Sequence, residues 1–496
     1  MSTAPLFPPR QRPSLRFARA TPRPPRAGAP SRTPVAAVAL ASAAALALFL
    51  CFRARAIVGD AAVYAGTIAD ARFFVRSIHF GYYVVGWIAQ RLLSPWNVPL
   101  DQGVILLNAA LTPAAVFLAW RFTRALGEPR RVAAAAALVL LFSGNVLAQG
   151  TNAEIYSLEL VCVLASWTLF LRRRVVAAGL VFGYALLVTP LAACAAGLFL
   201  WEAWRTRRPR AAALTLGIAA AVLGVLLAFC WREYFFGTRG LFAIGPKRSF
   251  GFDTLAYNAV ALVKNFHWAL PFAGVGVVTL ARARDARLGL LAVTMLFHLP
   301  VLLGMREDGV FLLSAYPVFV LAMVWGAFAV ADALPTPGRR LLLGGLAAVY
   351  VATGAWVWLE APTAVWREEL IALARGARQG TAVVASWPYK VALEYYGRGA
   401  PAGARPELLE SERLSAGQLR RALAQHPRVY LVEKFYPTRS VRSLFPAERL
   451  EQRRGAMSLL ATVRRMVPGV EATPVMARQG GLRIYRLQIP PTDRTP

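Results

Sequence analysis

The sequence predicts an α-helical polytopic membrane protein, with about eleven transmembrane helices and a small α/β extracytoplasmic domain at the C-terminal end. Three observations predict it. The 496 residues are 57% hydrophobic and only 16% charged, outside the composition of an ordinary soluble domain. Apolar runs such as 35–52, 104–120, 132–147, 211–231 and 341–359 match the roughly 20 residues a helix needs to cross hydrocarbon. Arginines gather in the short segments between these runs, and after Leu359 the composition becomes mixed.

In chain order, residues 1–33 hold seven arginines, eight prolines and no acid, which reads as a disordered cytoplasmic tail. The apolar stretch that follows is too long for the core of a signal peptide and is expected to stay as the first membrane helix. By the positive-inside rule, the arginine-rich segments 121–131, 172–174, 205–210, 282–287 and 339–340 are the inside loops. The stretch 175–204 exceeds one crossing, and Thr189-Pro190 marks a break within it. Helices are then expected at 34–52, 103–122, 132–148, 156–171, 175–188, 190–204, 211–231, 268–281, 288–304, 310–331 and 341–359. This alternation puts the N-terminus inside and the C-terminus outside.

Two external segments are long, 53–102 and 232–267. Within them Phe80–Leu93 and 254–266 mix aromatic, aliphatic and polar residues over a length that suits helices lying at the interface. The membrane domain is expected to span 34–359 and the soluble domain 360–496. That domain has candidate strands at 381–385, 429–432 and 482–487 and helices near 389–396, 415–425 and 447–466, with Ser415 as a cap. No GxGxxG or P-loop follows any strand, so nucleotide binding is unsupported.

The formal charge of +31 orients membrane helices here, and nucleic-acid binding is excluded as the first reading. Cys51, Cys162, Cys194 and Cys230 all lie in apolar segments without ligand spacing, so neither a zinc site nor a disulfide framework is expected. Trp87, Trp96 and Trp268 fall where an aromatic belt is expected. Gly179 and Gly183 form a small-xxx-small pair that reads as close helix packing.

The residues that can carry chemistry lie on the outer side. Asp60, the first acid of the chain, stands in Gly59-Asp60-Ala-Ala-Val-Tyr64. Asp70 and His79 follow, and Glu154 sits in the short segment Thr151-Asn152-Ala153-Glu154-Ile155-Tyr156. Carboxylates at a membrane boundary are often functional. A solvated loop acid is the plain alternative for Asp60, and a cap of the following helix for Glu154.

The pattern resembles the GT-C glycosyltransferases, membrane enzymes that take sugars from polyprenyl-phosphate carriers. The resemblance rests on Asp60 after the first helix, His79-Phe80-Gly81-Tyr82, Asn152-Ala153-Glu154-Ile155-Tyr156-Ser157-Leu158, and Arg306-Glu307-Asp308 before Phe311-Leu312-Leu313-Ser314-Ala315-Tyr316-Pro317. Within the superfamily the segments are most similar to the protein O-mannosyltransferase-like group, which includes bacterial members. The resemblance implies a hexosyltransferase of the bacterial inner (plasma) membrane. Its donor would be a polyprenyl-phosphate sugar, and its acceptor a hydroxyl on protein, lipid or glycan.

An attacking hydroxyl must lose a proton to a base within hydrogen-bond reach, and Asp60 is the candidate. Inversion needs only that carboxylate. The resemblance gives Glu154 to acceptor orientation or to a divalent metal ion, and Asp70, His79 and Tyr64 to substrate binding. The leaving phosphate calls for cations, and Arg239, Lys247, Arg248 and above all Arg306 are available. Anionic lipid headgroups compete for the first three, and pairing with Glu307 or Asp308 for Arg306. A transporter or a flippase of lipid-linked sugars is the other class that shares this architecture.

Overall fold

The computed structural model describes residues 33–54, 56–57, 59–236, 251–305, 310–359, 367–375, 380–401, 404–434, 459–477 and 482–489. The first helix is α1 (Thr33–Phe52). Two helices, α2 (Asp60–Ala69) and α3 (Phe80–Leu93), fill the first external segment before α4 (Leu100–Ala125). There follow α5 (Arg130–Leu141), α6 (Gly144–Thr151), α7 (Tyr156–Leu171), α8 (Val175–Val188), α9 (Gly197–Thr206) and α10 (Pro209–Phe236). The membrane part ends with α11 (Phe252–Phe266), α12 (Leu270–Arg282), α13 (Arg287–Gly304), α14 (Tyr316–Asp332) and α15 (Thr336–Leu359).

Each apolar run of the sequence is therefore helical. By length and composition Leu100–Ala125, Pro209–Phe236, Arg287–Gly304 and Val310–Asp332 each qualify as spans among the described residues, while α7 and α8 are apolar but shorter. The run expected as one helix over 132–148 is instead α5 and α6, bent by 63°. Its cause is local. Ser143 takes an extended backbone and its hydroxyl donates back to the Leu140 carbonyl, so a new helix starts at Gly144. Likewise 190–204 opens as a 3-10 turn, Pro190–Ala196, before α9.

Glycine decides how closely the helices approach. A Cβ on Gly276 would strike the Ala322 carbonyl oxygen and one on Gly326 the Phe272 carbonyl oxygen, so α12 and α14 cross backbone on backbone. Gly179 and Gly183 play the same part between α8 and α10, where a Cβ would lie 2.8 Å from Ile218 and 2.6 Å from Val222. The apolar stretch containing α14 is 83% buried and that of α10 only 22%, which sets the first inside the bundle and the second at its lipid-facing edge. Arg287 bonds Asp285 at 2.6 Å and Glu128 at 2.7 Å, joining two arginine-rich loops.

The C-terminal residues form a mixed sheet. Its elements are α16 (Arg367–Arg375), β1 (Thr381–Ala385), α17 (Trp387–Tyr396), β2 (Glu407–Glu410), α18 (Ala416–Gln425), β3 (Arg428–Lys434), α19 (Leu459–Met466), β4 (Glu471–Ala477) and β5 (Leu482–Gln488). The strand order is β2-β1-β3-β5-β4, with β1 parallel to β2 and β3, and β5 antiparallel to β3 and β4. The sequence showed three of these strands. β2 is two leucines between glutamates, and β4 carries Pro474 at a register shift, so neither displays an alternating apolar pattern. Ser415 caps α18 in a reciprocal capping box with Gln418. Of the helix expected at 447–466, residues 447–458 lie outside the described ones.

One face of the sheet packs with α18 and α19 through Leu419, Val463 and Leu487. From the other face Val383, Leu393 and Tyr396 join the continuous apolar core of the membrane helices. The α/β part is thus seated on the membrane helices through α16 and α17.

Candidate active site

Gly59 has φ 59° and ψ −134°, a backbone conformation open to glycine and strongly disfavoured for residues with a Cβ. It turns the chain so that Asp60 becomes the first residue of α2, where the unpaired N–H groups of a helix start favour negative charge. Asp60 is exposed, and its carboxylate accepts no hydrogen bond from any described residue. Residues 61–68 of the same helix are buried. The acid is therefore the open N-terminal position of a helix whose next eight residues are sunk into the protein.

One turn along, the buried Tyr64 ring sits at the centre of an aromatic cluster, 5.6 Å from His79, 5.7 Å from Tyr82 and 6.2 Å from Tyr83. His79 Nδ1 lies 3.0 Å from the Val188 carbonyl oxygen at the end of α8. A carbonyl only accepts, so that nitrogen carries the proton. Burial pushes the Tyr64 phenol well above its ordinary value, and the charges of Asp60 and then Glu154 push it further. Its hydroxyl stays protonated within the field of both carboxylates.

Glu154 is placed by α4. Asn108, fully buried, donates its side-chain amide to the Asn152 carbonyl at 2.9 Å and to the Glu154 carbonyl, and accepts from the Tyr82 hydroxyl at 3.4 Å. Thr112, one turn further, meets Ser157 at 2.8 Å. The first external segment joins in through Ala54 N–H to the Thr151 carbonyl at 2.8 Å. The N-cap of α7 is Ile155, which supplies no side-chain hydrogen bond, and Glu154 directly precedes it.

The α/β part closes the site from above. Gly59 N–H donates to the Pro388 carbonyl at 2.9 Å and Ile57 N–H to the Tyr396 hydroxyl at 3.1 Å. That hydroxyl donates to Asp101 Oδ2 at 3.2 Å, and Arg367 takes the same carboxylate at 2.6 and 3.2 Å. Those hydrogen bonds with Asp101 raise the Arg367 pKa, so its charge is secure at any working pH. At the far end of α2, Arg398 donates to the Gly66 carbonyl at 2.9 Å and to Asp70 at 2.7 Å.

Of the residues singled out by sequence, Asp60, Tyr64, His79 and Glu154 come together. Asp70 stands at the other end of α2, about 15 Å along the helix, paired with Arg398. Arg239, Lys247, Arg248 and Arg306 lie outside the described residues. Sequence reasoning missed Tyr82, Tyr83, Asn108, Asp101, Arg367 and Tyr396. Asn108 carried a signal, a polar side chain inside an apolar helix run, and Asp101 stood just before that run. Tyr396 and Arg367 carried none, because only the fold brings them to α2.

A second polar group lies deeper. Glu159 on α7 lies beside Ser314, whose hydroxyl is 3.0 Å from His298 Nε2, while His298 Nδ1 is 2.8 Å from the Thr294 carbonyl. His298 thus ties α13 to the turn before α14. Among the described residues no three His, Cys, Asp or Glu side chains converge as a metal site. The described donors alone therefore do not build one, and no step below runs through a metal.

Helix order, the two external helices and the seated α/β part define a class: the chain has the fold of the GT-C membrane glycosyltransferases. Among solved structures it is similar to ArnT from Cupriavidus metallidurans bound to undecaprenyl phosphate, with a TM-score of 0.53 and 14% identity over 92% of this chain and 98% of that one. It is similar too to the Archaeoglobus fulgidus oligosaccharyltransferase in complex with zinc and sulfate, with a TM-score of 0.56 and 13% identity over 91% of this chain and 73% of that one. No protein-family model and no curated protein matches the sequence.

Proposed function

We propose that the protein transfers a sugar from a polyprenyl-phosphate carrier to a hydroxyl acceptor at the extracytoplasmic face of the membrane. The observation that carries the reading is Asp60: an exposed carboxylate on a glycine-only turn, sharing the Tyr64 hydroxyl's surroundings with Glu154, in a GT-C fold. The ArnT structure with undecaprenyl phosphate supports the carrier, and the oligosaccharyltransferase tethered to an acceptor peptide supports an acceptor on protein. The O-mannosyltransferase-like group is the proposed nearest branch.

In the proposed reaction the acceptor oxygen attacks the anomeric carbon as the bond from that carbon to the phosphate oxygen breaks. The proton leaves the acceptor for Asp60, and the electron pair leaves with the polyprenyl phosphate. Attack from the face opposite the leaving group inverts the anomeric centre. Glu154 orients the acceptor and its hydroxyl. Tyr64 and His79 form the wall beside the sugar, and Arg306, with Arg239, Lys247 and Arg248, receives the phosphate charge. The proposed topology has eleven crossings within 34–359, external segments 53–102 and 232–267, a cytoplasmic N-terminus and an extracytoplasmic domain at 360–496, in a bacterial inner membrane.

The test is glycosyl transfer by purified protein in nanodiscs, with a panel of radiolabelled polyprenyl-phosphate sugars and membrane extract as acceptor. Asp60→Asn is expected to lose about 10²–10⁴-fold of the rate, the usual worth of a positioned base. Equal transfer by both proteins would remove Asp60 from the mechanism. Absence of both transfer and donor binding across the panel would favour a transporter.

A further inference from the structure

We propose that Tyr396 of the α/β domain is a positioning residue for Asp60, so that the soluble domain sets the geometry of the reaction. The inference rests on the glycosyltransferase reading for its catalytic consequence, and on geometry alone for the coupling. Two backbone amides precede Asp60 at short range, those of Ile57 and Gly59. Both donate to α17: Gly59 to the Pro388 carbonyl at its start and Ile57 to the Tyr396 hydroxyl at its end.

The Tyr396 hydroxyl makes a second bond, donating to Asp101 Oδ2 at 3.2 Å, and Asp101 is 1% exposed at the outer start of α4. One hydroxyl thus ties the membrane helix, the segment leading to Asp60 and the soluble domain. Arg398 holds the other end of α2 through the Gly66 carbonyl. Helix α2 is clamped at both ends by one short stretch of the α/β domain. Since the Gly59 turn is open to glycine alone, its geometry has to be imposed from outside, and α17 is the element that touches it: Trp387 and Pro388 would each lie 3.7 Å from a Cβ placed there.

Removing the hydroxyl leaves Ile57 N–H buried without its acceptor, a costly state for a backbone donor. The experiment is Tyr396→Phe in the full chain in nanodiscs, with hydrogen exchange of peptides covering 56–69 measured beside transfer kinetics. Ser415→Ala, which weakens α18 away from the contact, is the control. Exchange at Ile57 and through α2 is expected to rise about tenfold or more in Tyr396→Phe only. Its kcat is expected to fall about tenfold with the donor KM within twofold. Unchanged exchange would overturn the coupling whatever the activity. Faster exchange with unchanged kcat would overturn the catalytic consequence. A wild type without transfer would count against the proposed function, while exchange would still decide the coupling.

Discussion

Replacing Arg367 with methionine tests how firmly the α/β part is seated. Asp101 is 1% exposed and accepts two hydrogen bonds from Arg367 and one from Tyr396. Without the guanidinium, the carboxylate keeps a single neutral donor among the described residues. Breaking a buried pair from one side costs about 3–5 kcal/mol. The low end applies, about 3 kcal/mol, because the Arg367 side is 22% exposed and water reaches it. That raises the population of undocked molecules by about 150-fold. Undocking frees the Ile57 and Gly59 amides, so their exchange with deuterium should accelerate by about 100-fold in full-length protein, with α18 unaffected. Replacing both members, Arg367→Met with Asp101→Leu, should restore most of the protection, since an apolar pair of similar volume costs little. Unchanged exchange in the single variant, or a double variant as open as the single, would refute the reasoning.

Four further outcomes follow from particular contacts. Gly59→Ala should cost about 1–3 kcal/mol for forcing a Cβ into this turn, read as a lower melting temperature together with loss of transfer. Gly326→Leu drives a side chain into the Phe272 carbonyl, and size-exclusion chromatography should show loss of monodisperse protein, as expected of overpacking at a backbone crossing. Asp285 tests pH. Burial would raise its carboxyl, but the hydrogen bonds and charge of Arg287 outweigh this and hold it below 3.8. Its stabilisation is thus present above that value and lost as pH falls below it, so the melting-temperature gap between wild type and Asp285→Asn should close there. Ser415→Ala should cost about 1 kcal/mol through the lost cap, seen as faster exchange confined to α18.

Much of the helical membrane part was legible because hydrocarbon demands long apolar helices. Helix α3 was visible over its full length, 80–93, from its mixed faces. The bend at Ser143 was not, since Ser and Gly inside an apolar run are common in membrane helices. Asp60 stood out as an acid after a long apolar helix, but it read as a loop residue. The helix it opens, Ala-Ala-Val-Tyr-Ala-Gly-Thr-Ile-Ala, is short and nearly all buried, so no amphipathic face announces it. In the soluble domain the legible strands were those with apolar runs, and the edge strands β2 and β4 were the ones lost.

The division between legible and illegible residues has a physical reason. Asp60, Glu154 and His79 can be picked out by residue type, because a charge or imidazole at a membrane boundary is rare and costly unless used. The residues that hold them are picked out by partners far along the chain: Asn108 by 44 positions to Asn152, Tyr396 by 339 to Ile57, Arg367 by 266 to Asp101. A carboxylate left exposed at a functional site cannot fix its own position by burial. Its backbone must be held by neighbours that are themselves buried and satisfied. Here α4 does this from the membrane side through Asn108 and Asp101, and α17 from the outer side through Pro388 and Tyr396. Asp101 and Tyr396 bond each other, so the two supports form one network, and disturbing either should be felt at Asp60.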